Sequence, residues 1–550
     1  MPRYSIHTPV LEVPSWSDTF RKFQPRNLGL DRRVLAVLML STQVLFGCSP
    51  SPGPQLIDSP EGSFPVSDES QTLEPTNTPP MISAPNNSTL PDEIVLGIEP
   101  RWIPAAEIAL SMLPFEDIPV RVILDPVDPS LELLESGLVD LLLLPDASGI
   151  PVTDRAIALA VPWASEWEQV SQHEAEALIE ENSPFVALIE WPEMTASLKP
   201  LKIDGSHPSQ PDYPLRTSWS LHAKLGLEEI AASITRALSI HLADEVVKVA
   251  AVGDIMLARG LGERIRTGED AYPFSAVGHL FIDADLAIGN LETALGEGGQ
   301  AEKKGYTFLA PPQAAAALGH AGFDVLSLAN NHAMDFGPHT LLQAIELLEE
   351  QGVRTVGAGI DATHAYAPLQ MDIANLNLAI LAFVDVPVEV RGFDTRLWSA
   401  QETKTGIAWA DAERMRSALA IAQESADFTI VLLHSGYEYI SAPSPPQQTA
   451  ARLAIDAGAD LVIGHHSHVL QGVEHYADGV IIYGLGNFAF EDGGVLESGL
   501  MNIWINPDGI RSLEFVPLLV GQDGRPIPAD PTRAESIRVD FYSLSRTIEP

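Results

Sequence analysis

Residues 459–468 read Ala-Asp-Leu-Val-Ile-Gly-His-His-Ser-His: an apolar run through Ile463 that breaks at Gly464 into His465, His466, Ser467 and His468. The run has the length and β-branched content of a buried strand, so its imidazoles gather where that strand would leave a sheet. Four other places have the same form. Gly253-Asp254, Asn290-Leu291-Glu292, Asn330-Asn331-His332 and His434-Ser435-Gly436 each follow an apolar, β-branched run. Five polar clusters on strand ends predict one shared site, of the kind in which metals are held.

The chain has 550 residues, more than one ordinary core supports, which predicts two globular domains plus tails. It carries 74 acidic and 32 basic residues, a formal net charge of −42. Such a surface repels nucleic acid and anionic headgroups, so neither is bound by simple counterion exchange. An anionic polymer needs a metal or a local basic patch to dock. Cys48 is the sole cysteine, which excludes an internal disulfide and a thiolate metal cluster. The available ligands are therefore nitrogen and oxygen, from His, Asp, Glu and Asn.

Arg26, Arg32 and Arg33 precede an apolar run from Val34 to Phe46, too short to span a bilayer comfortably but suited to a signal-peptide core. Leu45-Phe46-Gly47-Cys48 closes it and resembles the lipobox of bacterial lipoproteins, with Phe46 bulkier than usual. That resemblance implies a leader over 1–48, lipidation of Cys48 and an extracytoplasmic, membrane-anchored protein; an uncleaved anchor with an incidental cysteine gives the same topology. Residues 49–91, rich in Pro, Ser, Thr and Asn, read as a disordered tether. Over 92–241, strands at 93–98, 120–124 and 141–144 alternate with helices at 105–113 and 131–137, which predicts a small α/β domain. Residues 171–178, 202–205 and 213–215 give it a resemblance to a shortened type II periplasmic-binding domain, and a spacer that binds nothing fits equally. A second α/β domain over 246–520 holds the strand-end clusters, interleaved with helices at 338–351, 411–424 and 447–457. A tail, 521–550, packs on its surface.

Taken singly, Asp254 or Glu292 reads as a solvated charge, and His434 as a satisfied structural residue. Asn331 and His332, after a fully apolar strand, are harder to place on a surface, and alternation along an extended segment points the rings of His466 and His468 the same way. His465 points away. Two carboxylates, one amide oxygen and three imidazoles suit one or two ions of Mn²⁺, Fe²⁺ or Zn²⁺ better than Ca²⁺ or Mg²⁺. Such ions acidify water and clamp transferring oxygens, and His332 is placed to protonate a leaving group.

The ordered set Gly253-Asp254-Ile255-Met256-Leu257, Asn290-Leu291-Glu292, Ala329 to Gly337, His434-x-Gly436-x-Glu438-Tyr439, Gly464 to Gly472 and Tyr483 to Phe488 resembles the CapA family of capsule and poly-γ-glutamate synthesis proteins, within the calcineurin-like metallophosphatases. The resemblance covers Val246 to Leu519 and implies a four-layer α/β/β/α sandwich. It implies one ion on Asp254 and His468, a second on Asn331, His434 and His466, Glu292 between them, and His332 as acid. It also marks Asn290, Glu438 and Asn487 as substrate-binding. Met256 stands where ordinary metallophosphatases carry His, and Glu292 where they carry Asp, which weakens the first ion's hold. Ser435 replaces a Trp frequent in CapA proteins. The expected function is a surface-anchored, metal-dependent hydrolase-type protein of capsule or poly-γ-glutamate synthesis, acting on an anionic polymer or a phosphorylated substrate beside membrane-bound synthase subunits. A non-catalytic scaffold of a polymer synthase or export complex, and a phosphoesterase of another substrate, are the alternatives.

Overall fold

The structure is a computed structural model that describes residues 93–113, 121–128, 130–242, 246–389, 391–494 and 496–548. The predicted leader with Cys48 and the 49–91 tether lie outside these residues. No helix among the described residues is long and apolar enough to cross a membrane. The chain divides into two compact units: one runs to Asp154 and resumes over Thr217–Leu242, and the other takes Arg155–Arg216 with everything after Leu242.

In the first unit Glu93–Ile98 lies parallel between Arg121–Pro126 and Leu141–Leu144, and Arg216–Ala223 runs antiparallel beside the latter. The helices Ile103–Ser111 and Glu228–His241 pack on one another, burying Ala106, Ala109, Ile230 and Ile234. The continuous 92–241 domain expected from the sequence is interrupted, because 155–216 carries aromatic side chains that find their partners in the second unit. Trp163 donates to Leu513 O at 3.2 Å and meets Tyr542 edge-on at 5.1 Å, and His207 stacks on Trp504 at 4.2 Å.

Two large sheets dominate the second unit. In the larger, Arg354–Val356, Val325–Ser327, Leu286–Leu291 and Val247–Met256 are parallel neighbours, continued antiparallel by Leu496–Asn506, Gly509–Val520 and Pro526–Pro528; Asn487–Phe490 pairs with the end of Val247–Met256. The other sheet runs Leu369–Ile373, Leu376–Asp385, Phe428–Ser435, Leu461–His465, Gly479–Leu485, Leu470–Tyr476. The helices Ala412–Ala422 and Pro445–Asp456 bury Met415, Leu419, Ala451 and Ala454 against this smaller sheet. Pro445–Asp456 starts two residues before the predicted 447 because Pro445 and Pro446 fill its first positions, where the missing N–H costs nothing, behind a Ser444/Gln447 capping box.

A repeated aspartate sets the register of the parallel strands. Asp285, Asp324, Asp427 and Asp460 each stand just before a strand, donate their own N–H to a carbonyl of the neighbouring strand, and accept that same residue's N–H on the side chain. The partners are Lys248, Ala287, Asn377 and Thr429, with side-chain bonds of 2.7 to 3.0 Å. From Asp285 to Glu292, from Asp324 to Asn331 and from Asp427 to His434 is seven residues each time. Glu292 and His434 therefore stand at the ends of strands aligned by their locks, while Asn331 is reached through the short loop after Val325–Ser327.

The predicted tail is an integral part of this unit. Pro526–Pro528 is a strand of the larger sheet, and Pro531–Ile548 is a helix that buries Ile537, Phe541 and Tyr542, with Phe541 stacked 3.9 Å from Phe515. Full burial of side chains this size stabilises by about 1.5–3 kcal/mol each. Ser545 Oγ accepts the N–H of Val473 in the smaller sheet, so the helix clasps both sheets.

Gly253 does not turn the chain. It lies inside the Val247–Met256 strand, and a Cβ there would sit 1.8 Å from Gly486 O, whose carbonyl accepts the Asp254 N–H at 3.1 Å. Gly253→Ala should therefore lower the unfolding free energy by about 3 kcal/mol. Gly278→Ala, where nothing lies within 4 Å, should shift it by less than about 0.5 kcal/mol in the same urea titrations.

Candidate metal centre

The five strand-end clusters converge in the second unit. Asp254 comes from the Val247–Met256 strand, Glu292 directly follows Leu286–Leu291, Asn331 and His332 lie on the loop after Val325–Ser327, His434 belongs to Phe428–Ser435, and His466 and His468 follow Leu461–His465. All seven are buried. The two rings of the His-x-His pair converge for a different reason from the one expected. His466 and His468 have left the strand, and both have left-handed backbones, φ 87° and 57°. Such φ values are uncommon for non-glycine residues. His465, still in the strand, turns away and approaches Val252 O at 3.2 Å on the facing sheet.

Ligand atoms of Glu292, His434 and His466 lie within 4.8 Å of one another, and so do those of Asp254, Glu292 and His468. Glu292 is common to both triads. Its Oε1 is 3.7 Å from His434 Nε2 and 3.8 Å from His468 Nε2, and neither of its oxygens, both buried, has a hydrogen-bond partner. Asn331 Oδ1 faces His434 Nε2 at 2.7 Å, which adds an amide oxygen to the first triad. Buried carboxylate oxygens are rarely left without donors. A divalent ion on each side of Glu292 would satisfy both, so the donor set fits the metals expected of it, with N and O ligands only.

A third group, Glu438 with His466 and His468, has the same 4.8 Å reach, and Glu438 is exposed. Of the three expected substrate contacts it alone faces solvent. Asn290 is wholly buried: Nδ2 meets Asp254 Oδ1 at 2.9 Å and His434 Nδ1 at 3.1 Å, and Oδ1 accepts from Asn330. Asn487, equally buried, holds its Oδ1 2.8 Å from His468 Nδ1, which leaves Nε2 of that ring turned to Glu292. Both asparagines thus orient side chains of the candidate ligand set, as partners one layer behind a metal would. Met256 is buried in an apolar cluster with Ala258, Phe308 and Phe490.

Charge in the site is strongly redistributed. Burial raises Glu292, and neighbouring Asp254 raises it further. Burial would also raise Asp254, but His468, His465 and His434 hold it well below the usual carboxylate range. Burial would lower His468, yet the carboxylates of Glu292 and Asp254 lift it to about 10, so it stands as an imidazolium between them. Burial drives His466 to about 3, with the cation of His468 adding to the effect. His332 is held at about 4 by burial, which outweighs the Asp335 carboxylate 2.7 Å from its Nδ1. Its neutral ring, with Nδ1–H on Asp335, presents Nε2 as an acceptor.

Lys304 and Glu389 are not singled out in the sequence, and Asp335 lies within the Ala329 to Gly337 motif without a role of its own. Asp335 stands three residues after His332, a spacing that could have suggested the pair, whereas Lys304 and Glu389 follow no apolar run and carry no such signal. Asn330 is structural: its Nδ2 bonds Leu291 O at 2.8 Å and its Oδ1 accepts the His332 N–H, fixing the loop.

An ion ligated by His468 must displace the proton that the ring carries below pH 10. Divalent-ion affinity should rise with pH between about 6 and 9, and calorimetry in buffers of different ionisation enthalpy should show protons released on binding. Affinity that does not change with pH would contradict the imidazolium at His468.

Residues 248–492 match the family described as bacterial capsule synthesis protein PGA_cap, which belongs to the metallophosphatase-like superfamily. Over 298 residues the chain is 30% identical to the capsule biosynthesis protein CapA of Bacillus anthracis, covering 52% of this chain and 71% of that one. With the PGA biosynthesis protein CapA of Bacillus subtilis it shares 32% over 283 residues, 50% and 72% of the two chains. A probable polyglutamine synthesis accessory protein of Mycobacterium tuberculosis is 29% identical over 280 residues, 48% and 73% of the two. The chain therefore belongs to the CapA family.

Proposed function

We propose that this protein serves capsule or poly-γ-glutamate biosynthesis outside the cytoplasm, anchored through a lipid on Cys48, with a metal-dependent site that cleaves or transfers an acyl or phosphoryl bond. The observation that carries the enzymatic part is Glu292, whose two buried oxygens lack donors while standing between two sets of ligand atoms. In this reading the two sheets and their outer helices form the four-layer sandwich of the superfamily, and the unit built on Glu93–Ile98 is a shortened periplasmic-binding domain. The role in polymer synthesis rests on the names of the relatives.

Asp254, His468 and Glu292 would hold one ion; Asn331, His434, His466 and Glu292 the other. Bound there, the ions supply an acidified water and a clamp on the transferring oxygens. The chain's own groups do the rest. His332, braced on Asp335, would first accept at Nε2 the proton given up by the attacking water and then pass that proton to the leaving group. Phe308, 4.4 Å from that ring, and Phe490, 5.0 Å from His468, keep bulk water off both. Glu438 meets the substrate at the open side. A scaffold without turnover is the competing reading, favoured by the apolar Met256 where a ligand would stand.

Metal analysis of the purified chain, coupled to assays on p-nitrophenyl phosphate and on poly-γ-glutamate, separates them. His466→Ala should lose bound metal. His332→Gln should keep it and lose about 10²–10⁴-fold in turnover. Wild-type protein that holds no metal and turns over neither substrate would establish the scaffold.

A further inference from the structure

Lys304 lies outside every strand and helix, in Glu302-Lys303-Lys304-Gly305, a sequence that reads as a solvated turn. Its side chain is nonetheless wholly buried. Nζ pairs with Asp335 Oδ1 at 2.8 Å and Glu389 Oε1 at 2.5 Å, bonds the carbonyl of Asn331, and lies 3.5 Å from His332 Nδ1. The rings of Trp398 and Phe393 stand 4.9 and 5.7 Å from it and shield it.

Both carboxylates hand this interaction on to the candidate site. Glu389 Oε1 accepts from Asn331 Nδ2 at 3.1 Å. An amide can turn over with almost no change in shape, so a fixed acceptor on its nitrogen decides that Oδ1, not Nδ2, faces His434. Asp335 Oδ2 takes Nδ1 of His332 at 2.7 Å and the N–H of Phe308 at 2.7 Å, fixing the ring and the aromatic wall beside it. Without Lys304, the buried Asp335 and the half-buried Glu389 would face one another with no cation between them, an unfavourable arrangement.

We infer that Lys304 is the positioning residue of the site: acting through Glu389 and Asp335, it sets the amide of Asn331 and the ring of His332 in the orientations that metal binding and proton transfer require. The inference rests on the metal-dependent reading above. It assigns Lys304 no contact with substrate.

Calorimetric titration of Mn²⁺ into the purified full chain tests it. Lys304→Met alone strands both carboxylates and threatens folding, so it is combined with Glu389→Gln, which removes one positive and one negative charge together. This double variant and Glu389→Ala should each weaken Mn²⁺ binding by about tenfold or more. Glu389→Gln alone keeps an acceptor for Asn331 and should rescue affinity to within about threefold of wild type. Folded double variant, judged by circular dichroism, that binds Mn²⁺ as wild type does would overturn the inference even if its melting temperature fell, since that would mark Lys304 as purely structural. Wild-type protein that binds Mn²⁺ no better than His466→Ala would overturn the metal-dependent reading, and the inference with it.

Discussion

Two carboxylates, Asp254 and Glu292, are buried side by side, and the second unit is organised around making that tolerable. An ionised carboxylate removed from water costs several kcal/mol unless donors or cations replace its hydration. Asp254 receives Asn290 Nδ2 and the backbone N–H of His466, one from each sheet. Glu292 receives no hydrogen bond, only the nearby cation of His468. The sheets must therefore approach closely enough for the donors of one to reach the acids of the other. Gly253 and Gly486 make the approach possible, because any side chain at 253 would strike the carbonyl of 486. Site chemistry and sheet packing are one constraint.

Register brings the other ligands to the same place. An aspartate that binds its neighbouring strand by both backbone and side chain permits one alignment only, and a slip of one residue would turn every side chain to the opposite face. With seven residues from lock to side chain, Glu292 and His434 are held by their strands, and Asn331 by the loop that Asn330 fixes. After Asp460 the count fails: His466 and His468 stand six and eight residues on, either side of position seven. Left-handed backbones at both let one strand end contribute two rings, a conformation that costs on the order of 1–3 kcal/mol per residue and is retained where function demands it.

What could be read from the sequence follows from this. Strands buried on both faces are continuous apolar runs, so Leu286–Leu291, Phe428–Ser435 and Leu461–His465 were visible, and with them the residues at their ends. The convergence of His466 and His468 was foreseen, but from strand alternation, which does not operate there. Loop residues escaped notice because their roles depend on tertiary neighbours: Lys304 and Glu389 look solvated in sequence and are drawn inside by Asp335 and Asn331. Trp163 and His207 escaped for a similar reason. An isolated aromatic does not announce which unit it packs in, so the sequence alone does not show that 155–216 groups with the residues after Leu242, nor that Pro531–Ile548 packs on both sheets.

The charge of the whole chain bears on how the site meets a substrate. At −42 the protein repels an anionic polymer, and the cations nearest the ligands offer little help. Lys304 is buried and neutralised by Asp335 and Glu389, and His468 is compensated by Asp254 and Glu292. Glu438, at the open side, adds a further negative charge. Two cations thus stand against five carboxylates, so the side chains around the site leave a negative rather than a positive field for an arriving carboxylate or phosphate. If the substrate is anionic, its attraction must come from the divalent ions themselves, and substrate binding would then weaken together with metal binding rather than independently of it.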